Sequence, residues 1–351
     1  MKILVNALSG IGDAIMFYPA LALLKKHLPE SQIDMLAMFS QVRDIFSNSP
    51  LINNIFFIDF LHQSKYKSLR EVKAIRKNKY NFSINVYPSN RWEYNFLQRI
   101  LGSKIRIGTK YLNYSRRNLD FLNTYLVNEI KDRHNVLQNF DIIKKIIPEA
   151  KEEELGGYKI IVEEKDKIWA ENYIKNNKLN NTLLIGFHAG SQTFKRHIHK
   201  RWLKYSELAK KLNETFNSKI ILFGTEKDVN KKIFNENPNI SYMPETGSIS
   251  ESIALMHHCG LFVTNDTALM HISAALQIPT AAIFAYTNYK ELYPWKNKHI
   301  IIRRELDCSP CFFNSPKPVQ CIFTGAEEFK CIKEISVDEV FSACETLLTS
   351  N

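Results

Sequence analysis

Two short motifs, one near each end of the chain, constrain its fold most: Ser9-Gly10-Ile11-Gly12-Asp13, and Asn265-Asp266-Thr267-Ala268-Leu269-Met270-His271. Each follows an apolar, β-rich run, Lys2 to Ala7 and Leu261 to Thr264, and each opens an amphipathic stretch. In that arrangement a buried parallel strand delivers backbone amides and a polar side chain to the positive end of a helix. Two such mouths predict an α/β chain of two Rossmann-like, doubly wound domains that face each other across a cleft.

The βα alternation continues between them. Apolar runs at Ile33 to Ala37, Ile55 to Ile58 and Phe82 to Val86 alternate with polar-apolar stretches such as Ser68 to Lys77. A second series holds strands at Leu183 to Phe187, Lys219 to Phe223 and Thr280 to Phe284, with helices from Trp202 to Asn213, from Glu226, and up to Leu276. The charged stretch Lys151-Glu152-Glu153-Glu154, followed by Gly156-Gly157, is the most linker-like composition. Domains are therefore expected at 1–158 and 159–335, with a final helix in 336–351 that returns to the first domain. Ser248-Ile249-Ser250-Glu251 and Ser336-Val337-Asp338-Glu339 each fit a capping box.

Composition narrows the function classes. At 351 residues and 45% hydrophobic, the chain can bury two ordinary cores. No run approaches a membrane span, and the N-terminus enters a strand pattern with no cleavage site, so a cytoplasmic location is expected. Lys and Arg exceed Asp and Glu by 47 to 36, a formal charge of +11, which favours anionic partners. The basic residues are dispersed and show no nucleic-acid reader motif, so no specific nucleic-acid partner is expected.

Several loops carry candidate chemistry. Gly10 and Gly12 would let the backbone pass close to a ligand at a helix start; the bland alternative is a tight turn with Asp13 as a cap. Asp266 and Thr267 sit where helix-terminal amides suit a diphosphate, with His271 a turn further on; a capped helix with a core histidine is the alternative. His188-Ala189-Gly190-Ser191 ends another strand and leads into the basic run Lys195, Arg196, His197, His199, Lys200, Arg201 and then Trp202. The incomplete glycine pattern at Gly10 and Gly12 argues against a dinucleotide cofactor. Arg91, Arg106, Lys110, Arg116 and Arg117 around Tyr111 and Tyr114 would either recognise an anionic acceptor or form a solvated loop. Cys308, Cys311, Cys321 and Cys331 fall in one short segment. As thiolates they would hold a structural zinc or iron; as free thiols they would be redox-sensitive.

Together these elements resemble glycosyltransferase family 9, the heptosyltransferases of lipopolysaccharide core. The match runs through Ser9-Gly10-Ile11-Gly12-Asp13, Pro19-Ala20-Leu21, His188-Ala189-Gly190, Lys200-Arg201-Trp202 and Asp266-Thr267-Ala268-Leu269-Met270-His271, in order along most of the chain. The resemblance implies a GT-B fold and an inverting, metal-independent glycosyltransferase with no cofactor needed for catalysis. Its donor would be a nucleotide-diphosphate sugar such as ADP-heptose, and its acceptor an anionic glycan or glycolipid of the envelope. The enzyme would make peripheral contact with the cytoplasmic face of the inner membrane. By analogy Asp13 is the general base, with Gly10 and Gly12 in its loop. Ser191, Lys200, Glu226, Asp266, Thr267 and His271 surround the donor, Glu226 at the ribose. The chain departs from the family at Ala189, often Pro, and Ala268, usually Gly, where a methyl would crowd the phosphates. Those departures keep open a non-catalytic nucleotide-binding relative; a protein hydroxyl on a secreted adhesin is another acceptor to be weighed.

Overall fold

The computed structural model of the chain describes residues 1–113, 115–192, 194–312 and 319–350, and of residues 115, 116 and 194–196 the backbone only. Its described residues divide into two compact units, Met1–Ile161 and Val162–Phe312 with 319–350.

Unit one is built on six parallel strands: β1 (Lys2–Ala7), β2 (Gln32–Ala37), β3 (Asn54–Phe57), β4 (Phe82–Asn85), β5 (Ile105–Lys110) and β6 (Tyr125–Asn128). Their spatial order is β3-β2-β1-β4-β5-β6, so the connections diverge at β1 and β4. The carboxyl ends of those two strands border the crevice where doubly wound sheets bind ligands. Residues 3 to 7 of β1 are all buried, as a strand covered on both faces requires. The helix Ile11–His27 follows, burying Ile15, Met16, Phe17, Leu21 and Leu24. It ends on Lys25 and Lys26, cations suited to the negative end of its dipole, and on His27. Lys26 Nζ lies 2.7 Å from Glu154 and His27 Nε2 lies 3.1 Å from it. The acidic stretch that reads as linker is thus a short 3-10 turn, Glu152–Glu154, tied to that helix end.

Unit two repeats the plan with β7 (Leu184–His188), β8 (Lys219–Leu222), β9 (Ser241–Tyr242), β10 (Leu261–Asn265), β11 (Thr280–Ile283) and β12 (His299–Ile302). The order is β12-β11-β10-β7-β8-β9, all parallel, so the connections diverge between β7 and β10. Phe187 stands opposite Val263 and His188 opposite Thr264. The helix expected from Trp202 instead runs Tyr205–Phe216, because Trp202 is spent on tertiary contacts. Its backbone N–H donates to Asn265 Oδ1 at 3.1 Å and its indole N–H to the Ile335 carbonyl at 2.9 Å.

The final helix, Val337–Thr349, packs into unit two. Val340, Phe341, Ala343, Cys344 and Leu347 enter the core of unit two beside Leu208, Leu212 and Ile302. Lys211 pairs with Asp338 and Arg304 with Glu339 across that contact. Ser336 and Glu339 form the reciprocal box expected of them. At Ser248 half of it forms: the hydroxyl accepts from Glu251 N–H at 3.0 Å, while the Glu251 carboxylate accepts from Gly247 instead.

One glycine in the central strand of unit two is dictated by packing. A Cβ on Gly186 would lie 2.5 Å from the Phe262 ring and 3.1 Å from that of Phe223. Gly186→Ala is expected to destabilise unit two by about 1–3 kcal/mol through overpacking. The check is the denaturant midpoint; an unchanged midpoint would mean the Phe262 ring turns aside at no cost.

Candidate functional site

The residues singled out in unit one gather at the carboxyl end of β1. Asp13 occupies the first turn of the helix Ile11–His27, and its Oδ2 accepts the backbone N–H of Gly10 at 3.1 Å. Gly12 lies inside that helix rather than in a turn before it. Gly10 has φ −65° and ψ 173°, ordinary extended backbone, and a Cβ there would meet Asp13 at 3.7 Å, an ordinary contact. Neither strain nor crowding within the fold therefore demands a glycine at position 10.

The basic set in unit one separates into different jobs. Arg106 donates to the carbonyls of Leu122 and Ser103 and so braces the backbone. Arg91 pairs with Glu93 at 3.0 Å. Lys110 and Arg117 are exposed, whereas Tyr111 is buried, stacked on Tyr87, with Ser89 N–H donating to its hydroxyl. Tyr114 and the side chains of Arg116, Lys195 and Arg196 lie outside the described residues.

In unit two the structure draws the candidates together around the ends of β7, β8 and β10. Thr267 is the N-cap of the helix Ala268–Ala275; the Met270 N–H turns back to its carbonyl at 3.1 Å, and the amides of Ala268 and Leu269 open beside its hydroxyl. Lys200 reaches the same spot: its Nζ donates to the Asp266 carbonyl at 2.8 Å and to Asp266 Oδ2 at 3.1 Å. An ammonium carries three N–H bonds, so a further one is available for an anion at this helix end. Burial pushes the Asp266 carboxyl up, but Lys200 and the other groups around it outweigh burial and hold it below its ordinary range. Asp266 is thus turned inward as the partner of Lys200 rather than outward from the helix start. Ala189, the first family departure, is fully buried in the core, while Ala268 is half-buried in the first turn.

Ser191 is likewise drawn inward. Its hydroxyl donates to the His197 carbonyl at 2.7 Å and accepts from Arg201 Nε at 3.3 Å, and Arg201 also reaches the Ser191 carbonyl. Glu226 precedes the helix Lys227–Glu236 and lies over the first loop: a Cβ on Gly190 would come within 2.4 Å of its carboxylate. Its Oε2 lies 3.5 Å from His188 Nε2.

Two residues without an assigned sequence role hold this cluster. Asn265, fully buried, donates from Nδ2 to the carbonyls of Ala189 at 3.0 Å and Gly190 at 3.2 Å while its Oδ1 takes the Trp202 N–H. His188 closes the last turn of β7 against Thr267 and Glu226. The readable signal for both is a polar residue at the inner end of a buried apolar strand, where an unpaired amide or imidazole would be costly.

The four cysteines line one small cavity of about 20 Å³, with Tyr286, Leu306 and Phe329. Burial first, then the neighbouring thiols, push Cys311 up to about 11 and Cys331 up to about 12. Among the described residues no three His, Cys, Asp or Glu are arranged to hold a metal ion, so the thiols share a cavity without standing at ligand spacing. The walls of that cavity support the Lys200 turn: Tyr286 Oη meets His197 Nδ1 at 3.1 Å, and Phe329 stacks on His199 at 4.1 Å.

His271 is buried within electrostatic reach of Asp266 and Lys200. Burial pushes its imidazole from the ordinary 6.5 down to about 4, so it is neutral near pH 7. Because the unfolded chain binds a proton that the folded chain refuses, stability is complete above pH 6.5 and falls as pH drops toward 4, by of order 3 kcal/mol. His271→Gln is expected to flatten that slope in denaturant midpoints taken from pH 7 to pH 4. His258, lowered by burial and by His257, and the carboxyls held below their ordinary range, Asp266, Glu226, Glu154 and Glu339, supply the remainder. An unchanged slope would place the titration elsewhere.

Comparison with known proteins shows what the chain as a whole resembles. The model of glycosyltransferase family 9 (heptosyltransferase) matches residues 68–321. Lipooligosaccharide heptosyltransferase 2 of Campylobacter jejuni is 23% identical over 100% of this chain and 99% of its own length. The structure of Escherichia coli ADP-heptose LPS heptosyltransferase II superposes with a TM-score of 0.74 at 21% identity, covering 99% of this chain and 98% of that one. The iron-containing dodecameric glycosyltransferase TibC of enterotoxigenic Escherichia coli superposes with a TM-score of 0.58 at 13% identity, over 99% and 78%. The two doubly wound units have the GT-B architecture of these structures.

Proposed function

The chain belongs to glycosyltransferase family 9, and from that membership we propose that it transfers a heptose from ADP-heptose to an anionic lipopolysaccharide-core or related envelope acceptor, with inversion and without a catalytic metal. The observation that carries the donor half is the Lys200 ammonium fixed at the N-cap of the helix Ala268–Ala275. A departing nucleoside diphosphate gains negative charge as its bond to the anomeric carbon breaks. A positioned ammonium and a row of helix-terminal amides stabilise that charge where it develops.

A sugar hydroxyl is too weakly acidic to attack unaided, and in this reading the Asp13 carboxylate takes its proton as the new bond forms. The Gly10 N–H on Oδ2 keeps the carboxylate oriented at the helix start. Attack on the face opposite the diphosphate inverts the anomeric centre. Among the described residues no helix is long and apolar enough to cross a membrane. A cytoplasmic enzyme that meets its glycolipid acceptor at the membrane surface, aided by the chain's net charge of +11, fits that observation.

Calorimetry with ADP, UDP, GDP and CMP tests the donor. ADP is expected to bind best and to weaken tenfold or more, about 1.4 kcal/mol, in Asp266→Ala. Preference for another nucleotide would reassign the donor, and binding of none would favour a non-catalytic relative. Asp13→Ala is expected to abolish transfer with ADP affinity kept within a few fold; lost binding with the fold intact would give Asp13 a different role.

The shared cavity of the four cysteines favours a structural zinc or iron only if the thiols, which do not stand at ligand spacing, draw together around it. Four thiolates are a soft donor set suited to either, and the name of TibC records iron in a protein of this architecture. Drawing Cys308, Cys311, Cys321 and Cys331 together would stiffen the wall formed by Tyr286 and Phe329, and through it the turn bearing Lys200. Elemental analysis of purified protein is expected to find about one metal per chain, lost in Cys308→Ser/Cys311→Ser. Metal-free protein with full thermal stability would remove this role.

A further inference from the structure

His188 sits where three loops of unit two meet. Its Nδ1 is 2.8 Å from Thr267 Oγ1, its Nε2 is 3.5 Å from Glu226 Oε2, and its carbonyl accepts from Tyr205 Oη at 3.2 Å. The fold makes room for this bridge at two glycines. A Cβ on Gly224, at φ +100°, would stand 2.6 Å from the His188 ring and 2.7 Å from the Glu226 carboxylate, and a Cβ on Gly190 would strike the same carboxylate. His188 is buried and Glu226 largely so, and Thr267 caps the helix that faces the proposed diphosphate.

The hydrogens follow from this geometry. Burial raises the Glu226 carboxyl, but His188 and, more weakly, Arg201 outweigh burial and hold it below its ordinary range. It is a carboxylate at neutral pH and offers only acceptors. The proton of a neutral His188 therefore belongs on Nε2, toward Glu226, which leaves a lone pair on Nδ1. Thr267 must donate its hydroxyl hydrogen to that lone pair. Its other hydroxyl neighbour, Thr264 at 3.3 Å, already donates to the Asn265 carbonyl at 2.7 Å. The cap hydroxyl then presents lone pairs, not a hydrogen, to an incoming phosphate oxygen.

We propose that His188 is a positioning residue that takes up a proton when a nucleoside diphosphate binds, turning the Thr267 hydroxyl from an acceptor into a donor toward the phosphate. Protonated at both nitrogens, the ring donates to Thr267 and to Glu226 at once, and the freed Thr267 hydrogen turns outward. The proton comes from solvent and returns there when the nucleotide leaves, so no covalent step is involved. The surrounding charges allow this exchange. Glu226 at the start of its helix becomes a full ion-pair partner, and the Asp266–Lys200 pair is internally compensated. Arg201 lies between Ser191 and Asp228, neutral His271 adds no charge, and burial keeps the Tyr205 phenol protonated. The bound phosphates supply the negative charge that favours the imidazolium.

The inference rests on the reading that unit two holds a nucleoside diphosphate, and its test separates the two. ADP is titrated calorimetrically at one pH in buffers of different ionisation enthalpy, so that the slope of observed enthalpy gives the protons taken up. Wild type is expected to take up more protons than His188→Gln, by up to one per site, and Thr267→Val is expected to lose the same increment. Both variants should keep the wild-type circular dichroism spectrum, and His188→Gln, which can still bond Thr267, should bind ADP within about tenfold of wild type. Equal proton numbers in wild type and His188→Gln, with ADP bound by both, would overturn the proposal and leave the donor reading standing. Failure of wild type to bind ADP, UDP or GDP would overturn both.

Discussion

The site in unit two depends on one buried carboxamide. Asn265 ends β10 at the point where the sheet connections diverge, and its side chain satisfies backbone groups from two other segments. It takes the Trp202 N–H on one side and supplies the Ala189 and Gly190 carbonyls on the other. Loops at the ends of parallel strands have no ladder partners there, and buried backbone groups left unpaired would cost more than their hydrogen bonds return. By meeting that demand from one position, Asn265 fixes the His188 loop and the Lys200–Trp202 step in a common frame. Trp202 extends the frame to the Ile335 carbonyl, which is why the final helix belongs to unit two.

On that frame the electrostatics are arranged in layers of decreasing burial. His271, buried and neutral, lies near an ion pair, Asp266 with Lys200, that is itself mostly buried. Such a pair gives little net stability, since desolvating both charges consumes most of their attraction. Its value is placement: the ammonium cannot wander from the helix N-terminus without stranding a buried carboxylate. The same logic explains Arg201, which spends its guanidinium on the Ser191 backbone and hydroxyl and thereby holds the loop that Glu226 overhangs.

Four strands of each sheet were legible because a parallel strand buried on two faces leaves a continuous apolar run, as Lys2 to Ala7 and Leu261 to Thr264 show, whereas β5, β6, β9 and β12, toward the outer parts of the sheets, carry a weaker signal. Helix starts marked by Ser336 were equally readable, the signal being local. What the sequence did not reveal is each polar side chain's partner. Asp266 reads as an outward helix start, yet Lys200 turns it inward from 66 residues away. Ser191 reads as a phosphate contact and is instead claimed by Arg201 and the His197 carbonyl. The final helix advertises an apolar face without naming the core that receives it. In each case the deciding contact joins segments far apart in sequence, and periodicity carries no information about it.

The two sheets share a strand order, but their first loops have different characters. After β1, a helix begins at once and its own Asp13 folds back onto Gly10, which fixes one carboxylate oxygen at the helix start. After β7, the chain makes a long detour through the basic turn before its helix begins at Tyr205, and along it Lys200 and Trp202 are held by Asp266 and Asn265 from β10 and the loop after it. A proton acceptor needs only a fixed lone pair, which a short loop with a backbone N–H can supply. A site for a diphosphate must gather positive charge and donors from several strands, and the long loop supplies the reach to do so.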